Sequence, residues 1–173
     1  DTLARLLRYA GDEVATEYYV NDMGRQAATL AYGLSHFPSG DDEKVDHALV
    51  KCYQQASTAL ESDPTAKKAI YELMEACEQG DKKAIKKVAG AAEKMLVGMR
   101  ISLSRMGVEA EAFFNESKLV TGGMVDEVVT ALAKSPLCGD EEGAKYLDLT
   151  DHGIAGRNQK FFFTRKSGLS LYT

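Results

Sequence analysis

At 173 residues, with 45% hydrophobic and 27% charged side chains, the chain is long enough for one domain with a real core, or for one domain carrying an insertion. A formal net charge of -5 argues against a generally basic nucleic-acid clamp, though not against a local patch. No apolar run approaches the ~20 residues of a membrane span, and Cys52, Cys77 and Cys138 are far apart with no C-x-x-C pair, which disfavours a disulfide framework or structural zinc and fits a reducing, cytoplasmic compartment.

In chain order, Leu3, Leu6, Leu7 and Ala10 follow helical spacing, and Gly11 ends that helix. No signal peptide or initiator Met precedes it, so the chain reads as a segment of something longer. Val14 to Val20 has strand composition. A second helix spans Met23 to Gly33, capped by Asn21 or Asp22, with Ala27, Leu30 and Leu34 facing in. Phe37 to Gly40 is a loop.

From Asp42 to Met106 the pattern is helical throughout. Val45, Leu49, Cys52, Ala56 and Leu60 form one stripe. Asp63-Pro64 opens the next helix with an N-cap and a proline at its first position, lined by Ile70, Leu73, Met74 and Cys77 and stopped by Gly80. Asp81 caps a third, with Ile85, Val88, Ala92, Leu96, Met99, Leu103 and Met106 inward and Gly107 at its end. These stripes can bury against one another as a small bundle. In the last third, Val125, Val128, Val129 and Leu132 describe a short helix. Lys145 to Leu149 and Gln159 to Arg165 read as strands, and after the turn at Lys166-Ser167-Gly168 a partner strand runs from Leu169 to Thr173. A helical block between two β-containing halves looks like an insertion in an α/β domain, or its connecting layer.

Asn21, Asp22, Gly24 and Gln26 stand at the carboxyl end of the first strand, the edge where open α/β sheets bind ligands. Two readings are open: a helix cap, with Gly24 incidental, or a carboxylate offered to a ligand ammonium or hydroxyl, with Gly24 permitting close backbone approach. Lys82, Lys83, Lys86 and Lys87 form a solvated face or a phosphate contact. His36, His47 and His152 stand apart, and there is no H-E-x-x-H, G-x-S-x-G or Walker A pattern, so metal and serine-type catalysis gain no support. Tyr172 follows the last turn, as strand packing or as a hydroxyl that orients a polar ligand.

Three stretches together resemble arginyl-tRNA synthetases, members of the class I aminoacyl-tRNA synthetases. DTLARLLRYAGDEVATEYYVNDMGRQ is similar to the family's segment after its first nucleotide signature, where a G/N-D-W/M-G-x-Q motif is carried here by Asn21, Asp22, Met23, Gly24, Arg25 and Gln26. The Asn and Met forms resemble archaeal relatives. SRMGVEAEAFFNES, ending at Ser117, resembles G-V-x-F-D-x-x-x-x-E-S, with Ala110 in place of Phe and Glu111 in place of Asp. RKSGLSLYT, ending at Thr173, resembles R-S-D-G-T-S-x-Y-x-T-R-D.

The resemblance implies an α/β fold: a partial Rossmann-like nucleotide-binding core at 1–40 and 118–173 with a short C-terminal β-hairpin region, and a helical insertion at 41–117. It implies a fragment of an arginine–tRNA ligase, whose parent takes arginine, ATP (with Mg as counter-ion) and tRNA(Arg). Arginine would be bound by Tyr172, Asp22 and Asn21, converging across a shared crevice, with Gly24 and Gln26 supporting. The HIGH-type and KMSKS-type motifs are not in this sequence, so the segment alone is expected to be inactive, to hold no metal and to bind no cofactor tightly. Departures at Ala110 and Glu111 leave a paralogue without aminoacylation open. The alternative is a non-catalytic helical module binding RNA or protein. A truncated sheet with unpaired edges would favour a non-native dimer.

Overall fold

A computed structural model describes residues 1–154, 156 and 159–171. The chain divides into two compact units, Asp1–Lys118 and Leu119–Thr173.

The first unit opens with α1 (Thr2–Ala10), closed by Gly11 in the left-handed region at φ +98°. Arg5 bonds the Gly107 carbonyl, and Arg8 bonds the Val14 carbonyl and Glu111. These polar contacts fix the helix, while Leu3, Leu6 and Leu7 on the other side stay exposed and no α1 residue is buried. Strand β1 (Glu17–Val20) pairs in parallel with β2 (Ala112–Asn115), with Val20 opposite Asn115. The strand is shorter than its composition suggests because β2 offers a ladder only from Glu17 onward. Strand β2 has no counterpart in the sequence reading. Only the partner, about 95 residues away in sequence, makes AFFN a strand.

Helix α2 (Gly24–His36) follows β1, with Met23 at its cap and no capping side chain. The expected cap from Asn21 or Asp22 is therefore corrected: the Asp22 carboxylate is taken by groups on and after β2. Helices α3 (Val45–Ser62), α4 (Pro64–Glu78) and α5 (Lys82–Arg105) pack on α2 and on one another. Asp63 and Asp81 cap α4 and α5 as their positions predict. Ile70 and Val88 are fully buried, each stabilising the unit by about 1.5–3 kcal/mol. Ala28, Ala56 and Ala66 are also fully buried, and these small side chains let the helices approach closely. Met106, expected inward, is exposed, because α5 ends at Arg105 before its stripe reaches that residue.

Helix α6 (Ser117–Thr121) begins in the first unit and ends in the second. The second unit adds α7 (Met124–Ala133) and an antiparallel meander of β3 (Cys138–Glu141), β4 (Ala144–Asp148) and β5 (Lys160–Phe162). The sequence suggested β4 and a longer β5 but not β3, whose CGDE lacks strand composition. It is a strand by hairpin pairing, Glu141 opposite Ala144. In place of the partner strand expected from Leu169, the described residues carry a single bridge between Thr164 and Ser170. Mixed α/β architecture with parallel and antiparallel pairings agrees with the expected α/β class.

Candidate functional site

The parallel pairing of β1 with β2 brings two polar turns together at their carboxyl ends. Asn21-Asp22 leaves β1, and Glu116-Ser117 leaves β2. Glu116 N–H donates to the Val20 carbonyl at 3.0 Å, continuing the ladder one step past the strands.

Asp22 is fully buried, 0% exposed. Its Oδ1 accepts from Ser117 N–H at 2.8 Å; its Oδ2 accepts from Ser117 Oγ at 2.6 Å and from Asn115 Nδ2 at 2.9 Å. Charge-assisted bonds of this kind are roughly twice as strong as neutral ones, so this carboxylate rivets the two strand ends. Asn21 sits on the exposed side. With its amide nitrogen turned towards its acceptors, it donates to the Met23 carbonyl at 2.9 Å and to Glu116 Oε2 at 3.1 Å.

Glu116 is half-buried, and its carboxyl is pushed above the ordinary carboxylate range, first by burial and then by the Asp22 charge. Burial similarly lifts the Cys77 thiol to about 11, with further push from Asp81, Glu78 and Asp22. The sequence reading quoted the stretch that ends in Glu116-Ser117 but assigned no role to Asn115, Glu116 or Ser117. Only the pairing of two distant strands could have disclosed it.

Beside this edge lies a cavity of about 410 Å³ between β1, α2, α3 and α5. Asn21, Gln26, Tyr18 and Tyr53 give it polar groups, and Met95 and Met99 give it apolar wall. Gln26 is exposed and lines it directly. Gly24 has φ +74° and open space where a Cβ would be, so its role is the left-handed backbone rather than a close approach. The structure thus brings Asn21 and Gln26 to one cavity and places Asp22 behind the same strand edge. Tyr172 lies outside the described residues.

Lys82, Lys83, Lys86 and Lys87 are exposed on α5. His36 stacks on Tyr32 at 3.9 Å between centroids, and His47 lies 3.6 Å from Asp42. Among the described residues no group of three or more His, Cys, Asp or Glu side chains is placed to hold a metal ion, and no helix is long and apolar enough to cross a membrane.

Comparison with known proteins places these features in a lineage. The family model described as "tRNA synthetases class I (R), catalytic domain" matches residues 1–173. The arginine–tRNA ligase of Methanocella arvoryzae is 38% identical over 178 residues, covering 100% of this chain and 31% of the relative. That of Archaeoglobus fulgidus is 37% identical, covering 99% and 30%. The solved arginyl-tRNA synthetase of Thermus thermophilus superposes with a TM-score of 0.75 at 26% identity, covering 99% of this chain and 29% of that one. The chain therefore spans about a third of the length of the relatives it matches.

Proposed function

The chain belongs to the catalytic-domain family of class I arginyl-tRNA synthetases, and on that premise we propose that it supplies part of the arginine pocket of an arginine–tRNA ligase. In that reaction the arginine carboxylate attacks the α-phosphate of ATP, forming arginyl-adenylate and releasing pyrophosphate. The arginyl group then passes to the terminal ribose of tRNA(Arg). Such chemistry rests on positioning and on stabilising charge at a phosphoryl centre.

The observation that carries the reading is the polar edge where Asn21, Asp22, Glu116 and Ser117 meet at the carboxyl ends of two parallel strands, beside a cavity. Its anionic and amide groups suit arginine, whose guanidinium offers five N–H donors and stays charged. We assign Asn21 to this arginine site, with Gly24 and Gln26 in support and Asp22 behind it, its two oxygens engaged by Asn115 and Ser117. Tyr172 is assigned to arginine binding by family resemblance alone. By family resemblance we assign residues 1–40 and 118–173 to a catalytic core and 41–117 to a helical insertion, whose last strand, at 112–115, pairs with residues 17–20 of the core. ATP, with Mg as its counter-ion, would be held by the two nucleotide signatures, which are not among these residues. A cytoplasmic setting follows from the role in protein synthesis.

The test is replacement. The aligned segment of the Methanocella arvoryzae ligase is exchanged for this chain, and arginine-dependent ATP–pyrophosphate exchange is measured. Retained exchange supports the reading, and a folded but inactive chimera sinks it. The isolated chain, titrated with ATP in a calorimeter, should show no tight binding.

A further inference from the structure

We propose that the outward face of α5 is a docking ridge for an RNA duplex, held through its phosphates and without regard to base sequence. From the reading above it takes only the expectation that the protein meets tRNA.

Helix α5 has 24 residues and runs about 36 Å. It turns Ala84, Ile85, Val88, Ala91, Leu96 and Gly98 into the core. The opposite face is basic: Lys82, Lys83, Lys86, Lys87, Lys94 and Arg105 are exposed, and Glu93 is the helix's one acid. With Arg100, seven cations against one acid give α5 a charge of +6, leaving −11 on the rest of a chain whose net charge is −5. Such segregation is unlike the other lysines, several of which sit against carboxylates: Lys68 on Glu72, Lys160 on Glu141, Lys166 on Glu142. Among the described residues no ion pair engages Lys83, Lys86, Lys87 or Lys94. Arg100 is occupied, its guanidinium 3.7 Å from the centre of the Phe113 ring.

Lys83, Lys87, Lys94 and Arg105 follow one another at intervals of 4, 7 and 11 residues, each close to a whole number of helical turns. Their charges therefore line one edge of the ridge over about 33 Å. A row this long and regular matches a backbone that repeats its phosphates, and an overall acidic chain needs such a local patch to approach RNA at all. Gly90, mid-ridge, has open space where a Cβ would lie, and Val97 and Ile101 are exposed between the charges. The wide, shallow minor groove of an A-form duplex presents ribose edges that such a smooth, partly apolar strip can meet. Lysines act as point charges on phosphate, so the contact reads backbone and not bases.

The experiment uses the Methanocella chimera. One variant carries Lys83→Gln, Lys87→Gln and Lys94→Gln; a control carries Lys51→Gln, Lys67→Gln and Lys68→Gln, exposed on α3 and α4. Gln and Lys have similar helix propensity, so melting temperatures should hold. Binding of a labelled tRNA(Arg) transcript is followed by fluorescence anisotropy between about 50 and 200 mM salt. The α5 variant should bind roughly 10- to 100-fold more weakly, with a salt slope shallower by about 3. An unrelated tRNA should weaken by the same factor, and KM for arginine should stay within about twofold. Gly90→Lys adds a cation mid-ridge and should tighten binding and steepen the slope by about 1, a gain that misfolding cannot imitate. Unchanged affinity and slope in both α5 variants overturn the ridge and leave the arginine-site reading intact. Equal losses in the control overturn it too, by reducing the effect to bulk charge. So does a lowered melting temperature with unchanged tRNA affinity, which would give this face to a protein neighbour. A folded but inactive unsubstituted chimera sinks the arginine-site reading alone, since the anisotropy titration still decides the ridge.

Discussion

Gly33 of α2 rests against the backbone of α3 at Cys52: a Cβ at this position would lie 2.6 Å from the Cys52 carbonyl oxygen and 3.2 Å from Ala56 Cβ. The first obstacle is backbone, which cannot rotate away as a side-chain tip can. Gly33→Ala gains about 1 kcal/mol of helix propensity. Overpacking a close contact costs about 1–3 kcal/mol, and here the helices must separate to relieve it. The substitution should therefore destabilise the protein despite improving the helix. Urea unfolding would show it as a lower midpoint, and a raised midpoint would mean that α2 and α3 are not in this contact.

Asp22 offers a second test of the same core. Each bond to its carboxylate contributes about 1.5–3 kcal/mol, and truncation also strands the buried donors of Ser117 and the half-buried amide of Asn115. Asp22→Ala should cost at least about 3 kcal/mol, and Ser117→Ala about half as much. The two should not add, because they remove shared bonds; a double-mutant cycle should return a coupling of about 1–3 kcal/mol. A coupling near zero would show that Asp22 does not join the strand ends.

These residues also show how far sequence could be read. The caps at Asp63 and Asp81, the stripes through Ile70 and Val88, and the position of the Asn21-Asp22 turn after a strand follow from local chemistry. Such signals lie within a few residues of what they specify. The strand at Ala112–Asn115, the binding of Asp22 by Ser117 and the nearness of Glu116 to Asn21 depend on pairing across about 95 positions. No periodicity encodes that partner. The same long-range bond turned an expected helix cap into an interstrand rivet. On α1, helical spacing correctly announced a helix, but it could not say that Arg5 and Arg8 would face the body while the leucines stay exposed.

The cysteines should separate by reactivity. Burial, reinforced by Asp81, Glu78 and Asp22, lifts the Cys77 thiol to about 11, so near pH 8 only roughly one molecule in a thousand carries the thiolate, the attacking species. Cys52 is fully buried, whereas Cys138 is only half-buried. Ellman's reagent should label one thiol quickly in the folded chain and all three in urea. Cys138→Ser should remove the fast phase. Fast labelling that survives this change would mean that the helical core opens readily around Cys52 or Cys77.

Glu116 makes stability depend on pH. Burial, and then the Asp22 charge, raise its carboxyl above the 4.5 of an unperturbed glutamate, so the folded chain holds this proton more tightly than the unfolded chain. Stability therefore falls as pH rises from about 4.5 through the folded-state value, and at neutral pH the ionised group weakens the fold. Glu116→Gln removes the charge. Its melting temperature should match the parent below that window and exceed it at pH 7. If Glu116→Gln instead lowers the melting temperature at neutral pH by as much as at pH 4, the carboxylate acts as a structural partner of Asn21 at the strand edge.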